Sequence, residues 1–389
     1  MAGKVFSLFF IFNLAVLVAS YELQQVFVLS RHNIRAPLSE DLQTVTTLKW
    51  PEWNVPASFL TEKGVEIEEK MGKYFYQWLK STALLTDECP SDESVYIYPN
   101  KVHRTIETAE AFARSAFMNC NVVHYKKNNQ KEFMFLPIVR NTTDSFREDY
   151  VFHMNEKLDN LKLKDAYQIL NRIMDMENSD ICKQQKLCDF MAKDSIVYQV
   201  GEEPNVNGPL AIGNSVADFF LMSYYNGSPM EDIAWGKLDQ KDFETLLKLT
   251  RENQNVRFNQ SYLSRDISRP MLKYMRDKLL DSPASKFTML VGHDSNLNSV
   301  MAALGFSPYS LTGQLELTPI GGKIVFQKWR GDDSNLYLKI EYVYYSMEQL
   351  RNGVDLEKPL SKTMELKDCK VNTEGFCPWS DFVKVLNIM

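Results

Sequence analysis

The amino-acid sequence predicts an α/β fold, a mainly parallel sheet flanked by helices, with an inserted and mainly helical cap. Two observations lead to this prediction. Short apolar runs, each followed by charged residues and then a helical pattern, occur three times along the chain, and this alternation is typical of a parallel sheet. Residues 126–254, between the second and third runs, are instead rich in helical patterns and have no strong strand pattern before Ile196.

The three apolar runs are Val26–Leu29, Val95–Tyr98 and Phe287–Val291. Continuous apolar runs of this length are typical of strands that are buried on both faces. A helical pattern follows the second run over Ile106–Phe117, and after the third we expect a short helix over Ser295–Ala303, capped by its first residue. Ligands of parallel sheets bind beyond the carboxyl ends of the strands, which is where the charged residues of all three runs stand.

Further elements complete the predicted fold. A helix over Thr61–Leu79 follows the first run, with its first residue as the N-cap. In the insertion, Lys157–Met174 and Glu244–Arg251 are the candidate helices. Near the C-terminus, Ile324–Trp329 and Leu338–Tyr345 predict an antiparallel hairpin that extends one side of the sheet.

The first 20 residues have the features of a secretory signal peptide. Lys4 precedes the almost wholly apolar segment Val5–Val18, and the small residues Ala19 and Ser20 stand where cleavage is expected. The apolar run is shorter than the about 20 residues that cross a bilayer, so a cleaved signal is favoured over a membrane anchor. We therefore expect a secreted protein, extracellular or, in a bacterium, periplasmic, with no membrane association.

The rest of the chain divides into three predicted segments. Residues 21–125 form the first part of the α/β core, residues 126–254 form the helical cap, and residues 255–389 form the second part of the core. At roughly 150 residues per domain, the length of the chain without its predicted signal peptide fits two domains or one large domain with an insertion.

The charge of the chain disfavours one class of partner. The formal net charge is −6 at pH 7, and loss of Lys4 with the signal peptide takes it to −7. Nucleic acid is an unsuitable partner for such a chain, because its phosphate backbone is bound by basic surfaces. A site for a phosphate group would have to be a local cluster of cations.

Six cysteines in an exported chain predict disulfides. Fifteen pairings are open for six cysteines; proximity in the sequence favours Cys182–Cys188 and Cys369–Cys377, which leaves Cys89–Cys120. A zinc site is disfavoured, because no paired CxxC spacing occurs.

Three sequons, which carry glycans in a eukaryotic secretory pathway, stand at Asn141, Asn226 and Asn259.

Two arginines and a histidine stand together at the end of the first strand. Arg31, His32 and Arg35 lie within five residues. Arginine binds phosphate through its planar guanidinium, and neighbouring cations disfavour protonation of an imidazole. A neutral His32 is then a competent nucleophile for covalent catalysis. The alternative interpretation is a chance surface cluster with a structural histidine.

The other two strands end in residues that complement this cluster. Asp294 is a candidate proton donor to a leaving oxygen, and His293 is a candidate hydrogen-bond donor to a phosphoryl group. The alternative interpretation of Asp294 is an acidic residue that stabilises the N-terminus of a helix. Arg104 begins a helix, where a cation is unfavourable unless an anion binds beside it.

These motifs resemble those of a known family. Residues 31–37, RHNIRAP, resemble the RHGxRxP signature of the histidine acid phosphatases, and the His293-Asp294 pair resembles their second signature. Where the general signature has glycine this chain has Asn33, as the glucose-1-phosphatase branch does. Further segments that resemble this branch, known from the bacterial periplasm, are Lys49–Pro56, Asn207–Ser215, Thr318–Gln327, Lys339–Tyr344 and Gly375–Pro378.

The resemblance implies a fold and an activity. The fold is the phosphoglycerate mutase-like α/β core with a helical insertion, and the activity is hydrolysis of phosphomonoesters through a phosphohistidine on His32. Asp294 is then the proton donor, and Glu203, which is followed by the segment at 207–215, lies in the substrate pocket. The resemblance implies no metal and no organic cofactor. The residues that it implies for phosphate binding are Arg31, Arg35, Arg104 and His293.

Several alternatives to a phosphatase of sugar phosphates such as glucose 1-phosphate stay open at this point. An inositol phosphate phosphatase, or phytase, shares the chemistry, but a heavily anionic substrate disfavours Glu203 in the pocket. A secreted protein that only binds phosphorylated ligands is disfavoured because His32 and Asp294 are both present. A phosphoryl-transferring mutase is disfavoured by the predicted secretion.

Overall fold

The computed structural model describes residues 21–38, 41–85, 89–91, 93–118, 120–125, 132–280 and 285–388. The predicted signal peptide lies outside the described residues. In this part of the chain, no helix is long and apolar enough to cross a membrane.

The main sheet has a parallel side and an antiparallel side. Its strands are β1 (Tyr21–Arg31), β2 (Val95–Pro99), β5 (Phe287–Gly292), β6 (Lys323–Gly331), β7 (Leu336–Tyr344), β8 (Leu360–Met364) and β9 (Phe376–Pro378). The order is β2-β5-β1-β6-β7-β8, with β9 also paired to β7. A separate small sheet pairs β3 (Ser195–Val197) with β4 (Asn205–Asn207).

The three strands singled out in the sequence form the parallel side. β5 pairs in parallel with β1 on one side and with β2 on the other. All six residues of β5 are buried, as expected for a strand covered on both faces. β6 and β7 form the predicted antiparallel hairpin and extend the sheet beyond β1. The predicted α/β class is confirmed.

Helices cover both faces of the sheet. In chain order they are α1 (Glu62–Ser81), α2 (His103–Ala116), α3 (Asp144–Asp159), α4 (Lys164–Met174), α5 (Asp180–Gln185), α6 (Pro209–Asn226), α7 (Gln240–Phe258), α8 (Ser261–Leu280), α9 (Asp294–Leu304), α10 (Met347–Asn352) and α11 (Trp379–Asn387). One apolar core joins α1 and α2 to the sheet and continues into α6 and α7, and a second core joins α8, α9 and α11 to the opposite face. Thr61 caps α1 as predicted, and its side chain accepts a hydrogen bond from the backbone N–H of Gly64.

Several predicted helix boundaries are wrong. The candidate helix Glu244–Arg251 is only the middle of α7, which runs over Gln240–Phe258. The N-cap after β5 is His293 and not Ser295, two residues earlier than predicted, because the side chain of Asn296 accepts a hydrogen bond from the His293 N–H. The single helix predicted over Lys157–Met174 is two helices, α3 and α4. Asn160 ends α3, where its side-chain amide donates to the carbonyl of Glu156 at 2.7 Å, a local bond that competes with helix continuation.

Segment 126–254, predicted as the cap, contains α3 to α6 and most of α7. The division of the chain into core and cap stays a prediction.

The structure contains three disulfides, Cys89–Cys120, Cys182–Cys188 and Cys369–Cys377. This is the pairing that proximity in the sequence favoured.

Candidate active site

The carboxyl ends of β1, β2 and β5 lie side by side. Arg31 pairs with Gly292, and Pro99 pairs with Val291, so the three strands end at the same edge of the sheet. The residues that follow each strand therefore meet, although they are far apart in the sequence. One cavity of about 730 Å³ is lined by all the predicted site residues: Arg31, His32, Arg35, Arg104, Glu203, His293 and Asp294.

The imidazole of His32 is oriented by its own backbone neighbour. Its Nδ1 lies 2.9 Å from the carbonyl oxygen of Asn33. Because a carbonyl only accepts hydrogen bonds, Nδ1 carries the proton and the lone pair of the neutral ring is on Nε2. Burial, followed by the cations of Arg104 and Arg35, holds the pKa of His32 well below its usual value. The low pKa keeps the ring of His32 neutral, with Nε2 unprotonated, to a lower pH than an ordinary histidine.

Three guanidinium groups surround this imidazole. The Nε–H groups of Arg31, Arg35 and Arg104 are buried and have no hydrogen-bond partner among the described residues. A buried donor without a partner is costly, and the three guanidinium charges favour an anion in this part of the cavity. The outer nitrogens of Arg35 are oriented by both carboxylate oxygens of Asp218, each at 3.0 Å. The arrangement fits the oxygens of a phosphate group.

Arg31 is held between two carboxylates. Its Nη1 donates to Glu316 at 2.6 Å and to the carbonyl of Thr318 at 2.7 Å, and its Nη2 lies 3.2 Å from Asp294. Burial alone would lower the pKa of Arg31, but Asp294 and Glu316 raise it above its usual value. Arg31 is thus fixed in the charged form beside the candidate proton donor.

Asp294 and His293 begin α9. Burial acts to raise the pKa of Asp294, but the nearby charges, that of Arg31 foremost, and the N–H of Ser295 together hold this pKa below its usual value. Asp294 is therefore ionised in the free protein, and its Oδ1 accepts the N–H of Ser295 at 2.8 Å. Burial and the charge of Arg104 lower the pKa of His293 to about 3. His293 is a neutral ring, with its Nδ1 at 3.3 Å from Arg104 Nη2.

Glu203 lies on the wall of the cavity, whereas its neighbour Glu202 is exposed and does not line it. The carboxylate of Glu203 accepts a hydrogen bond from Arg257 at 2.5 Å. The side chain of Glu203 is 38 % exposed, because it faces the open cavity. Burial on its other sides raises the pKa of Glu203. The charge of Arg257 opposes this shift, and that of Asp294 reinforces it.

Sequence reasoning missed two acidic residues of the site. Asp218 lies on α6 and orients Arg35, and Glu316 lies in the loop before β6 and orients Arg31. Tyr225 supports Glu316, since its hydroxyl donates to the carboxylate at 3.0 Å. Neither Asp218 nor Glu316 follows a strand or belongs to a motif, so the sequence held no signal for them.

Among the residues that the structure describes, no group of three or more His, Cys, Asp or Glu side chains could hold a metal ion.

Comparisons with known proteins agree with this geometry. Residues 22–346 match the histidine phosphatase superfamily (branch 2). The glucose-1-phosphatases of Providencia rettgeri and Salmonella typhimurium are 39 % and 40 % identical to this chain, over 95 % and 94 % of it and 92 % of each relative. The solved apo structure of the Hafnia alvei phytase superimposes with a TM-score of 0.84 at 24 % identity, covering 95 % of this chain and 97 % of that chain. The chain belongs to branch 2 of the histidine phosphatase superfamily and is a phosphoric monoester hydrolase.

Proposed function

We propose that the protein is a secreted acid phosphatase that acts on sugar phosphates such as glucose 1-phosphate through a phosphohistidine on His32. The observation that carries the mechanism is the state of the His32 ring, which has its proton on Nδ1 and its lone pair on Nε2. The three unpartnered Nε–H donors around this ring support a phosphate site.

In the first step, Nε2 of His32 attacks phosphorus and the ester P–O bond breaks. Asp294 gives its proton to the departing oxygen, which leaves as an alcohol. A proton is available there because a bound phosphate offsets the charge of Arg31, 3.2 Å from Asp294, and so raises the pKa of this carboxyl. The guanidinium groups stabilise the charge that spreads over the phosphoryl oxygens.

In the second step, a water oxygen attacks phosphorus and the P–N bond to His32 breaks. The carboxylate of Asp294 now takes the proton from this water, so the same residue serves as acid and then as base. Inorganic phosphate leaves, and His32 and Asp294 return to their starting protonation states. Splitting hydrolysis into two displacements is the general advantage of a covalent intermediate.

The sugar phosphate preference is supported by the two glucose-1-phosphatase relatives and by the charge of Glu203 on the cavity wall. A carboxylate accepts hydrogen bonds from sugar hydroxyls and repels a heavily phosphorylated substrate. A second candidate, an inositol phosphate, is favoured by three further cations on the wall, which are Arg251, Arg257 and Lys367.

Secretion is part of the same proposal. The first 20 residues have the pattern of a signal peptide, and the chain has three disulfides, which persist in oxidising compartments. In a eukaryotic host, glycans at the three sequons would accompany secretion.

The experiment that tests this proposal is phosphate release in EDTA at about pH 4 to 7, the acidic range in which a protonated Asp294 is expected. Glucose 1-phosphate, glucose 6-phosphate and inositol hexakisphosphate are compared by kcat/KM, with His32→Ala as the control. We expect a preference for glucose 1-phosphate, and a loss of about 10⁴-fold or more in the variant. A preference for inositol hexakisphosphate would keep the mechanism and change the substrate. Turnover by folded His32→Ala, or a requirement for Mg²⁺, would refute the mechanism.

A further inference from the structure

A fully buried ion pair lies beneath the loop that carries His32. Glu68 on α1 and Lys323 at the start of β6 are 2.8 Å apart, and both side chains have 0 % exposure. Burial lowers the pKa of Lys323, which Glu68 opposes. Removing two charges from water is unfavourable, and an apolar pair of similar volume is often as stable or more so. The stability of the fold alone therefore gives little reason for this pair.

Hydrogen bonds join the ion pair to the backbone on both sides of His32. The side-chain amide of Asn33 donates to Glu68 at 2.8 Å. Lys323 donates to the carbonyl of Gly321 at 3.0 Å, and the N–H of Gly321 donates to the carbonyl of His32 at 3.0 Å. These contacts form a closed ring, which runs from His32 through Asn33, Glu68, Lys323 and Gly321 back to His32.

The packing inside this ring leaves little room for movement. Gly321 has φ +65°, and a Cβ atom there would lie 2.6 Å from the Asn33 amide nitrogen. Asn33 is held at two further points, because its N–H donates to the hydroxyl of Thr108 at 3.0 Å and its side-chain oxygen accepts the N–H of Ile34 at 2.9 Å. The Asn33 carbonyl, which accepts the hydrogen bond from His32 Nδ1, is therefore fixed in direction.

We propose that Glu68 and Lys323 are positioning residues for His32. The inference rests on the proposed function, in which His32 is the nucleophile. The pair holds the Asn33 side chain, the side chain fixes the adjoining peptide, and the carbonyl of that peptide sets the tautomer and direction of the imidazole. A nucleophile misplaced by about 1 Å loses about 10²-fold in rate, so a small rotation of this peptide is enough to slow the attack on phosphorus.

The test replaces the ion pair by an apolar pair, Glu68→Leu with Lys323→Met, which leaves no buried charge alone. We expect a folded protein with at most a moderate fall in Tm, because loss of the ion pair itself costs little whereas the Asn33 amide and the Gly321 carbonyl each lose a partner. The rate of phosphoenzyme formation, measured by rapid mixing with 4-nitrophenyl phosphate, should fall about 10²-fold. KM should change little, because the guanidinium groups that bind phosphate are untouched.

The matched control is Gln327→Met, on the same strand and four residues from Lys323. Gln327 is 1 % exposed and donates to Glu341 at 2.6 Å, so its replacement also removes a buried polar contact on the same face of β6. This variant should keep the normal rate of phosphoenzyme formation. An equal loss of rate in the control would show that the effect of the double variant is a general disturbance of the strand, and would overturn the inference.

A second variant covers the case in which the double variant does not fold. Asn33→Ala removes the hydrogen bond to Glu68 but leaves the two charges paired, and the same slowing of phosphoenzyme formation is expected. A folded double variant or Asn33→Ala protein with the normal rate would overturn the inference, while the inactivity of His32→Ala would still support the proposed function. Activity in His32→Ala would overturn both.

Discussion

The two ends of the cavity differ in how they are built. The inner end consists of residues that end or follow the strands or begin the helices after them, which are Arg31, His32, Arg35, Arg104, His293 and Asp294. The outer wall consists of residues from the segment between β3 and α8, which are Glu203, Arg251, Asn255 and Arg257. Arg31 and His32 are each 3 % exposed, whereas the side chains of Arg251 and Glu203 keep 43 % and 38 % of their exposure.

This difference separates the chemistry from the choice of substrate. At the inner end, strand ends and helix starts fix each side chain, so the donors are oriented before the substrate binds. On the outer wall, the long side chain of Arg251 and that of Glu203 are more exposed, and we expect them to contact the part of the substrate that does not react. Enzymes of one mechanism can therefore differ in substrate through wall residues alone. Substitutions at the inner end should change kcat or its pH dependence, and those on the outer wall should change the ratio between substrates.

The largest expected effect in this comparison is that of Asp294→Asn. The amide keeps an oxygen for the N–H of Ser295, so α9 should still begin at the same residue. With no proton to give, the variant should lose about 10²- to 10⁴-fold in kcat on glucose 6-phosphate, whose leaving oxygen needs protonation. It should lose far less on 4-nitrophenyl phosphate, whose leaving group departs unprotonated. Steady-state kinetics on the two esters give the result.

The pH dependence of this variant is a second readout. In the proposed mechanism Asp294 is protonated in the substrate complex, so the activity of the unmodified enzyme should fall as the pH rises above the pKa of this carboxyl in the complex. Asp294→Asn should lack this alkaline decline. An equal loss on both esters, with the decline retained, would remove Asp294 from the role of general acid.

A smaller effect is expected for Arg104→Met, again at the inner end. After burial, Arg104 is the largest cause of the low pKa of His32. Without this cation the pKa of His32 should rise, so the imidazole becomes protonated at higher pH and the acidic limb of kcat/KM moves to higher pH. Loss of a charged hydrogen-bond donor should also raise KM by about 10- to 100-fold.

Arg251→Met is the matched control, because Arg251 is a cation of the same cavity but of the outer wall. It should leave the acidic limb of the pH profile unchanged. If both variants moved this limb equally, the effect would come from the overall charge of the cavity, and the distinction between its two ends would fail.

The same distinction explains how much the sequence could predict. The core strands were predicted correctly because a strand buried on both faces is a continuous apolar run, and the charged residues after each run identified the inner end. Asp218 and Glu316 were missed because they act by pairing with Arg35 and Arg31, and such pairs depend on tertiary packing. Glu203 was identified only through the family resemblance, since nothing in its sequence context separates it from Glu202.

The helix boundaries show on a local scale that the sequence does not predict which side chain makes a given contact. Ser295 is a common N-cap residue, and the sequence alone favoured it over His293. The capping contact is made instead by Asn296, whose side-chain carbonyl reaches back to the N–H of His293 at 3.0 Å. Glu68 and Lys323 illustrate the long-range case, because the 2.8 Å contact between them joins α1 to β6 and no local pattern predicts it.

The smallest expected effect is that of Glu203→Gln on the outer wall, with the exposed neighbour Glu202→Gln as its control. Removing one negative charge near a polyanion should raise kcat/KM for inositol hexakisphosphate relative to glucose 1-phosphate by about tenfold, with little change in kcat on 4-nitrophenyl phosphate. Burial raises the pKa of Glu203 although Arg257 opposes it, so in the unmodified enzyme this carboxyl becomes neutral at a higher pH than an exposed glutamate does. The substrate ratio of the unmodified enzyme should therefore approach that of Glu203→Gln as the pH falls, while Glu202→Gln behaves like the unmodified enzyme throughout. A ratio that does not change in Glu203→Gln, or that changes as much in Glu202→Gln, would mean that other residues of the outer wall select the substrate.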